Sequence, residues 1–194
     1  MATLREAQKA MTRDLLLEGA LTVFGRKGYA AATIDDIAKE AGATRTTFYL
    51  HFASKTDLTS QLLTRAEEIL TATEGPNLTE VARTGEPALI RAWLDSRIDQ
   101  WDSIKPYLLV SYEASSEPEV SGRTEQWFET VVDQMAEGLA QAGRFDEVTR
   151  RVRSLLAFGQ FEYLSRRYFS TGWTLDRTAV VDQLTESWRF LLTE

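Results

Sequence analysis

Apolar positions recur along this chain every three or four residues, which is the spacing of helices with one buried face. Near the N-terminus the pattern divides into two short segments, at residues 34–41 and 45–51. Thr33 and Thr44 are good N-caps for these segments, and Gly42 between them suits the left-handed residue that commonly ends a helix. The pattern therefore predicts two short helices joined by a tight turn.

The second short segment has an apolar side and a polar side. Phe48 and Phe52 lie four residues apart and are expected to pack inward. A compact helix pair of this kind places its second helix where it can enter a DNA groove. The outward side is rich in hydrogen-bond donors: Arg45, Thr46, Thr47 and Tyr49.

The remaining pattern also favours helices. A first helix is expected from about Thr12 to Lys27, and a long one from Lys55 to the stop at Gly75 and Pro76. Five more are expected between Pro87 and Leu192, and no segment shows the alternation of a strand. We therefore expect an all-α protein of about nine helices. A three-helix DNA-binding domain would cover residues 1–54, and a larger helical domain would cover residues 55–194. The helix from Lys55 would link them.

The last two predicted helices are apolar on two faces, so each needs two neighbours. One neighbour belongs to the same subunit, and the other is expected to be a second copy, giving a four-helix interface across a two-fold axis. The residues expected there are Val152, Leu155, Leu156, Gly159 and Tyr163 on one helix, and Val181, Leu184, Trp188 and Leu191 on the other.

Composition narrows the function. The chain has 194 residues, 43% of them hydrophobic, with no cysteine and one histidine, so neither a disulfide framework nor a metal site is expected. The net charge is −7, but residues 1–55 hold eight Lys or Arg against six Asp or Glu, a balance of +2 that leaves −9 for the rest. We expect the basic part to face DNA and the acidic part to face away.

The start of the chain lacks a signal-peptide core, and no apolar run is long enough to span a membrane. We therefore expect a cytoplasmic protein.

An ordered series of residues runs through the N-terminal part of the chain: Phe24, Gly28 and Tyr29, Thr33, Ile37 and Ala38, Ala41 and Gly42, Phe48 and Tyr49, His51 and Phe52, Lys55, Asp57 and Leu58. Through this series the sequence resembles the TetR family of transcriptional repressors. The resemblance covers roughly residues 10–58, and two positions depart from it. Ala43 stands where the family usually has a larger aliphatic residue, and Thr46 where glycine is frequent. The resemblance implies a homodimer that reads an approximately palindromic operator and a small-molecule inducer that weakens this binding. It also implies that residues 55–194 form the effector-binding and dimerisation domain, and that the helix from Lys55 transmits the ligand signal.

The expected DNA contacts differ in role. Arg45 is the best candidate for a guanine edge, because its planar fork can bond two acceptors. Thr46 and Thr47 are expected to contact bases or phosphates beside it. The remaining expected contacts hold phosphates and carry affinity without sequence information: Thr33, which also caps its helix, with Tyr49, His51 and Lys55. The alternative for His51, as the only histidine, is a pH switch.

Aromatic residues of the larger part suggest a mainly apolar ligand cavity, although such stripes are often simply core. The residues expected around a small apolar or aromatic effector are Trp93, Arg97, Trp101, Tyr112, Trp127, Phe128, Phe158 and Glu162, with Glu113 and Gln126 as further polar candidates. No nucleophile with a base and no phosphate loop is present, so neither an enzyme nor a cofactor is expected. Two alternatives stay open: a helical ligand-binding or interaction module that has lost specific DNA recognition, and an activator of the same fold.

Overall fold

The computed structural model describes residues 3–72 and 75–194, and this part of the chain is all α-helical, without strands. The fold class predicted from the sequence is confirmed. The helices are α1 (Leu4–Lys27), α2 (Ile34–Glu40), α3 (Arg45–Tyr49), α4 (Lys55–Ala72), α5 (Leu78–Thr84), α6 (Pro87–Ile98), α7 (Trp101–Glu113), α8 (Pro118–Gln141), α9 (Glu147–Thr171) and α10 (Arg177–Thr193).

Two helix starts differ from the prediction. Helix α1 begins at Leu4 rather than near Thr12, because Thr3 and Glu6 form a capping box in which each side chain accepts from the other's backbone N–H. Helix α5 was not predicted; Asn77 Oδ1 accepts from the backbone of Thr79 and Glu80 at 2.9 and 3.3 Å and starts it. Both capping signals are readable in the sequence.

The helix predicted to begin at Pro106 also starts earlier. Helix α6 ends at Ile98, α7 begins at Trp101, and Pro106 lies inside α7. A proline inside a helix removes one backbone hydrogen bond, which is why the sequence alone favoured a boundary there. In the structure the helix continues through the proline to Glu113.

The chain forms two compact units. The first consists of residues 3–68 and 104–124. Its core is built on Leu16, Phe24 and Phe48 of the N-terminal helices, and Val110 and Val120 of the second segment belong to the same buried cluster. Further links inside this unit are the bonds from Ser60 to Glu119 and from Arg123 to Glu67, at 3.3 and 2.9 Å.

The second unit consists of residues 69–72, 75–103 and 125–194. Its centre is aromatic: the Trp93 ring lies 5.4 Å from that of Phe161 and 5.2 Å from that of Trp188. The buried Trp188 indole donates a 2.9 Å hydrogen bond to the carbonyl oxygen of Ala157, so its polar atom is satisfied. Arg144 binds the carbonyl oxygens of Arg83, Thr84 and Leu192 and thereby joins α5 to the end of α10. The predicted boundary between the two functional domains, at residues 54 and 55, differs from the boundaries of these compact units. It stays a prediction.

In the part of the chain that the structure covers, no helix is both long and apolar enough to cross a lipid bilayer.

Candidate nucleic-acid interface

The two short helices predicted from the sequence are present with their predicted caps. Thr33 Oγ1 accepts from the backbone of Asp36, and Thr44 Oγ1 accepts from the backbone of Thr47, both at 3.1 Å. Gly42 between them has φ +64, the left-handed conformation that glycine adopts without strain. The geometry of the turn follows from local sequence.

Helix α1 supports this pair at close range. A Cβ atom added to Gly19 would lie 3.2 Å from the backbone nitrogen of Ala41 and 3.3 Å from the carbonyl oxygen of Ile37. The absent side chain at Gly19 therefore lets α1 approach the backbone of α2. This contact packs α2 against α1, so α2 is the supporting helix of the pair.

Helix α3 presents its polar side to solvent as predicted. Phe48 is fully buried and its ring lies 5.6 Å from that of Phe52, which anchors the helix. Arg45, Thr46 and Tyr49 are exposed. Thr47 is half-buried, and its hydroxyl lies 2.9 Å from that of the cap residue Thr44.

The exposed Arg45 is held by two neighbours. Its Nη1 donates to Asp35 Oδ2 at 2.9 Å, and its Nη2 donates to the Tyr49 hydroxyl at 3.3 Å. The guanidinium also lies over the Tyr49 ring, 5.6 Å from its centroid. Hydrogen bonding and charge from Asp35 raise the pKa of Arg45. The fork is thus positioned before any DNA is bound.

All three acidic residues of α2 hold a cation. Hydrogen bonds from Lys27 and Thr33 lower the pKa of Asp36 to about 2, so this carboxylate stays charged throughout the physiological range. Asp35 pairs with Arg45 at 2.9 Å, Asp36 with Lys27 at 2.6 Å, and Glu40 with Arg26 at 3.1 Å. These ion pairs neutralise much of the basic surface expected from the sequence.

Lys55 is used differently from the phosphate contact predicted for it. Its ammonium group donates to the carbonyl oxygens of Tyr29 and Ala32 at 2.7 and 3.0 Å and lies 4.2 Å from the centroid of the Tyr29 ring. Burial lowers its pKa. The backbone N–H of Tyr29 donates to Glu113 Oε2 at 2.6 Å. Both backbone groups of Tyr29 are therefore held by side chains from other helices, and Lys55 fixes the loop between α1 and α2.

His51 lies in the turn that ends α3. Within the described residues its Nδ1 atom is buried and has no hydrogen-bond partner. Burial, with the nearby charges of Lys9 and Arg13, lowers the pKa of the ring. The side chain is therefore neutral near pH 7 and lies next to two cations of α1.

The residues predicted to bind an effector do not form one group. Trp101 and Phe158 are buried and pack on Phe161 with ring centroids 5.5 and 6.1 Å apart. Trp127 and Phe128 pack on Phe158, and Trp93 belongs to the same cluster. Tyr112 lies in the first compact unit. The ligand-binding role of these residues stays a prediction.

The two charged residues of that set have partners inside the second unit. Arg97 donates to the carbonyl oxygen of Leu70, near the end of α4, and its guanidinium lies 5.5 Å from the centroid of the Trp93 ring. Glu162 pairs with Arg166, one turn further along α9, at 2.9 Å. Glu113 binds Tyr29, as described above, and Gln126 is exposed.

The residues predicted for a dimer interface separate into two groups. On α10, Val181, Leu184 and Trp188 are at most 5% exposed and pack within their own subunit. Periodicity identified this face as apolar but could not show which neighbour covers it. A partner can meet α10 through Phe190, which is 52% exposed, and the half-buried Leu191. The residues on α9 do face outward: Val152 (48%), Leu155 (36%), Leu156 (54%) and Tyr163 (62%), with Gly159 half-buried among them.

Sequence reasoning missed Asp35 and Glu113 as parts of the site. Asp35 reads as an ordinary acidic residue in the first turn of a helix, and its partner Arg45 lies on the next helix. Glu113 is 84 residues from Tyr29 in the sequence, so no local pattern connects them. Only the packed arrangement brings these residues together.

Comparison with known proteins agrees with this geometry. Residues 16–62 match the model of the bacterial regulatory proteins of the tetR family. Over 96 residues the chain is 34% identical to the HTH-type transcriptional regulator SrpR of Pseudomonas putida, matching 50% of this chain but only 44% of SrpR. It is also 34% identical over 96 residues to the uncharacterised HTH-type transcriptional regulator TtgW, likewise of Pseudomonas putida, matching 50% of this chain and 70% of TtgW. The negative transcriptional regulator IcaR of the icaADBC biofilm operon of Staphylococcus aureus is 39% identical over 49 residues, which are 25% of this chain and 26% of IcaR.

The likeness in fold extends over most of the chain. The structure of the flavonoid-responsive regulator FrrA superimposes with a TM-score of 0.66, covering 93% of this chain and 95% of that one at 20% sequence identity. At this identity the likeness shows the fold alone. The sequence match is confined to about half of the chain, and the structural match includes the remainder.

Proposed function

Because this chain belongs to the TetR family of bacterial regulatory proteins, we propose that it represses transcription by binding a palindromic operator as a homodimer and is released by a small apolar or aromatic effector. The proteins it matches are named as transcriptional regulators, so the chain is a regulator and not an enzyme. A protein that binds the chromosome works in the cytoplasm, where we place it.

The observation that carries the DNA-binding part is the geometry of α3. Its inner side is anchored by Phe48, and its outer side presents Arg45, Thr46 and Tyr49 to solvent. Arg45 is the proposed base reader, because a bidentate arginine–guanine contact is the commonest specific one in the major groove. Tyr49, Thr33 and His51 are the proposed phosphate contacts. Lys55, the phosphate contact expected from sequence, supports the loop that carries Thr33.

The exposed apolar face of α9 supports the dimer. Val148, Val152, Leu156 and Tyr163 are between 48% and 73% exposed and follow one another at helical spacing. An apolar strip of this length on a monomer surface is typical of an interaction site. Gly159 lies in the middle of the strip, and a Cβ atom added there would meet nothing within 4 Å. It leaves a gap in which the same helix of a second copy can cross closely.

The effector is the least direct part of the proposal. FrrA is named for its response to flavonoids, and the second unit of this chain is rich in aromatic side chains. A shallow pocket at the junction of α9 and α10 is lined by aromatic and aliphatic side chains with one arginine and one threonine. It holds little more than a water molecule, so binding of an aromatic effector would require it to widen. Its lining includes Leu164, Arg167, Tyr168, Trp173, Leu175 and Val180.

The test is a selection of duplex DNA from a random pool, followed by footprinting of the enriched sequence. We expect a two-fold symmetric footprint and a complex containing two chains. Failure to enrich any sequence would favour the alternative of a helical binding module. A reporter with the selected operator between promoter and start site then measures the sign of regulation, because repression lowers and activation raises its output. Release of the labelled operator by a panel of planar aromatic compounds tests the effector.

A further inference from the structure

The first two turns of α1 are unlike the rest of that helix. Every residue from Thr3 to Met11 is exposed, including Leu4 at 79% and Met11 at 64%, and burial begins only at Leu16. The capping box of Thr3 and Glu6 starts the helix there without tertiary packing. A chain that continues a helix into solvent in this way presents its side chains to something outside the fold.

Three cations follow one face of this segment. Arg5, Lys9 and Arg13 are spaced four residues apart, so they lie on one side of the helix and span about 12 Å along its axis. Leu4 and Met11 project from the opposite side by the same geometry. In the described residues none of the three cations forms an ion pair with a carboxylate, whereas Lys27, Arg26 and Arg45 all do.

The position of this cationic face is set by its inner end. Arg13 Nη2 donates to Gln61 Oε1 at 2.6 Å, and its guanidinium lies 5.3 Å from the centroid of the Phe52 ring. Arg13 therefore lies beside Phe52, close to the end of α3, and the charges of Lys9 and Arg13 contribute to the lowered pKa of the neighbouring His51. The row of cations therefore begins next to the candidate DNA-reading helix and continues outward along α1.

Nothing inside the described structure balances these charges. Glu6, the nearest acid in the sequence, binds the backbone and hydroxyl of Thr3 at 2.6 and 3.1 Å. Asp14 lies 3.5 Å from Arg65. Like charges held close together repel, and a row of phosphates relieves that repulsion while releasing counterions.

We propose that Arg5 and Lys9 form a phosphate-binding extension of the interface, in which the first two turns of α1 lie along the DNA backbone beyond the half-site that α3 reads. This inference rests on the proposed DNA-binding function. The arm adds affinity without sequence preference, because contacts to phosphates carry no base information. It also makes the bound DNA longer than α3 alone requires.

The test compares two double variants of the same helix segment. Arg5→Gln with Lys9→Gln removes two charges, and Leu4→Gln with Met11→Gln alters the opposite face to the same extent. Binding to labelled duplexes is followed by fluorescence anisotropy between about 50 and 300 mM salt, a range suited to this dependence. The duplexes are a selected operator with long flanks, the same operator trimmed to its core, and an unrelated sequence.

We expect the charge variant to reduce the magnitude of the negative slope of log affinity against log salt by about 1.8 per subunit, from two phosphates at about 0.9 each. The loss should be equal on the operator and on the unrelated duplex. Trimming the flanks should reduce wild-type binding to the level of the charge variant. The Leu4 and Met11 variant should keep the wild-type slope.

Three results would overturn the inference. The charge variant keeps the wild-type slope, or its loss of affinity relative to wild type is as large on the trimmed duplex as on the flanked one. In the third, the Leu4 and Met11 variant loses as much affinity as the charge variant. A wild-type protein that binds no duplex at all would instead remove the proposed function itself. The two failures are thus distinguishable in one experiment.

Discussion

Replacing Lys55 by methionine separates the role that the structure gives this residue from the role predicted by sequence. Methionine keeps an unbranched apolar chain of similar length and removes the charged donor. The change deletes the bonds to the carbonyl oxygens of Tyr29 and Ala32, at 2.7 and 3.0 Å. A hydrogen bond from a charged group contributes about 1.5–3 kcal/mol, and partial exposure reduces that value through solvent screening.

We therefore expect Lys55→Met to lower the free energy of unfolding by about 2 kcal/mol for the two bonds together. For a chain of this size that corresponds to a fall in Tm of roughly 4–8 °C, measured by circular dichroism. The slope of DNA affinity against salt should stay at the wild-type value, because the ammonium group faces carbonyl oxygens and not phosphates. Lys39→Met is the control, since Lys39 is exposed and its replacement should leave Tm unchanged.

The opposite pattern would refute this reasoning. If Lys55 neutralises one phosphate per subunit, the variant keeps its Tm and loses about 1.8 from the slope of a dimer. That result would return Lys55 to the role of phosphate anchor and leave the loop between α1 and α2 to be held by Glu113 alone. Measuring Tm and the salt slope of DNA affinity on the same preparation therefore distinguishes the two roles of Lys55.

Three further predictions follow from the same geometry. Arg45→Ala should relax base preference at one position of a selected operator by about 1–3 kcal/mol, as competition binding against operators changed at that position will show. Gly159→Arg should convert dimer to monomer in sedimentation, while Gly122→Arg, at a helical glycine with equally open surroundings, should not. The lowered pKa of His51 means that folding loses stability as pH falls below about 6.5, the ordinary histidine value. Phosphates favour the protonated ring, so DNA affinity should rise as pH falls from above to below about 6.5 in wild type and not in His51→Gln.

The parts of the site that sequence predicted well depend on near neighbours. Thr33 caps the start of α2, and Gly42 and Thr44 fix the turn between α2 and α3, all through contacts within four residues. Such contacts have clear residue preferences. The start of α1 at Leu4 belongs to the same class. Thr3 and Glu6 carry the capping-box spacing, so this boundary was available from sequence and was missed.

The parts that sequence could not predict depend on distant partners. The bond from Tyr29 to Glu113 joins residues 84 positions apart, and the bond from Lys55 to Tyr29 joins residues 26 apart. The burial of Trp188 against Ala157 has the same character. Periodicity showed that α10 has an apolar face, but only packing decides whether that face meets its own subunit or a second one.

The ion pairs of α2 explain how an acidic protein can bind DNA selectively. Each acid of α2 holds a cation that would otherwise attract any polyanion, so the pairs weaken the sequence-independent part of binding. An exposed pair contributes at most about 1 kcal/mol, and a bidentate arginine–guanine contact discriminates by about 1–3 kcal/mol. The free energy lost when Arg45 leaves Asp35 is therefore smaller than the free energy gained at the correct base. At a wrong base that loss is not offset. The same carboxylate that reduces attraction to random DNA holds the fork of Arg45 in place for the base that we propose it reads.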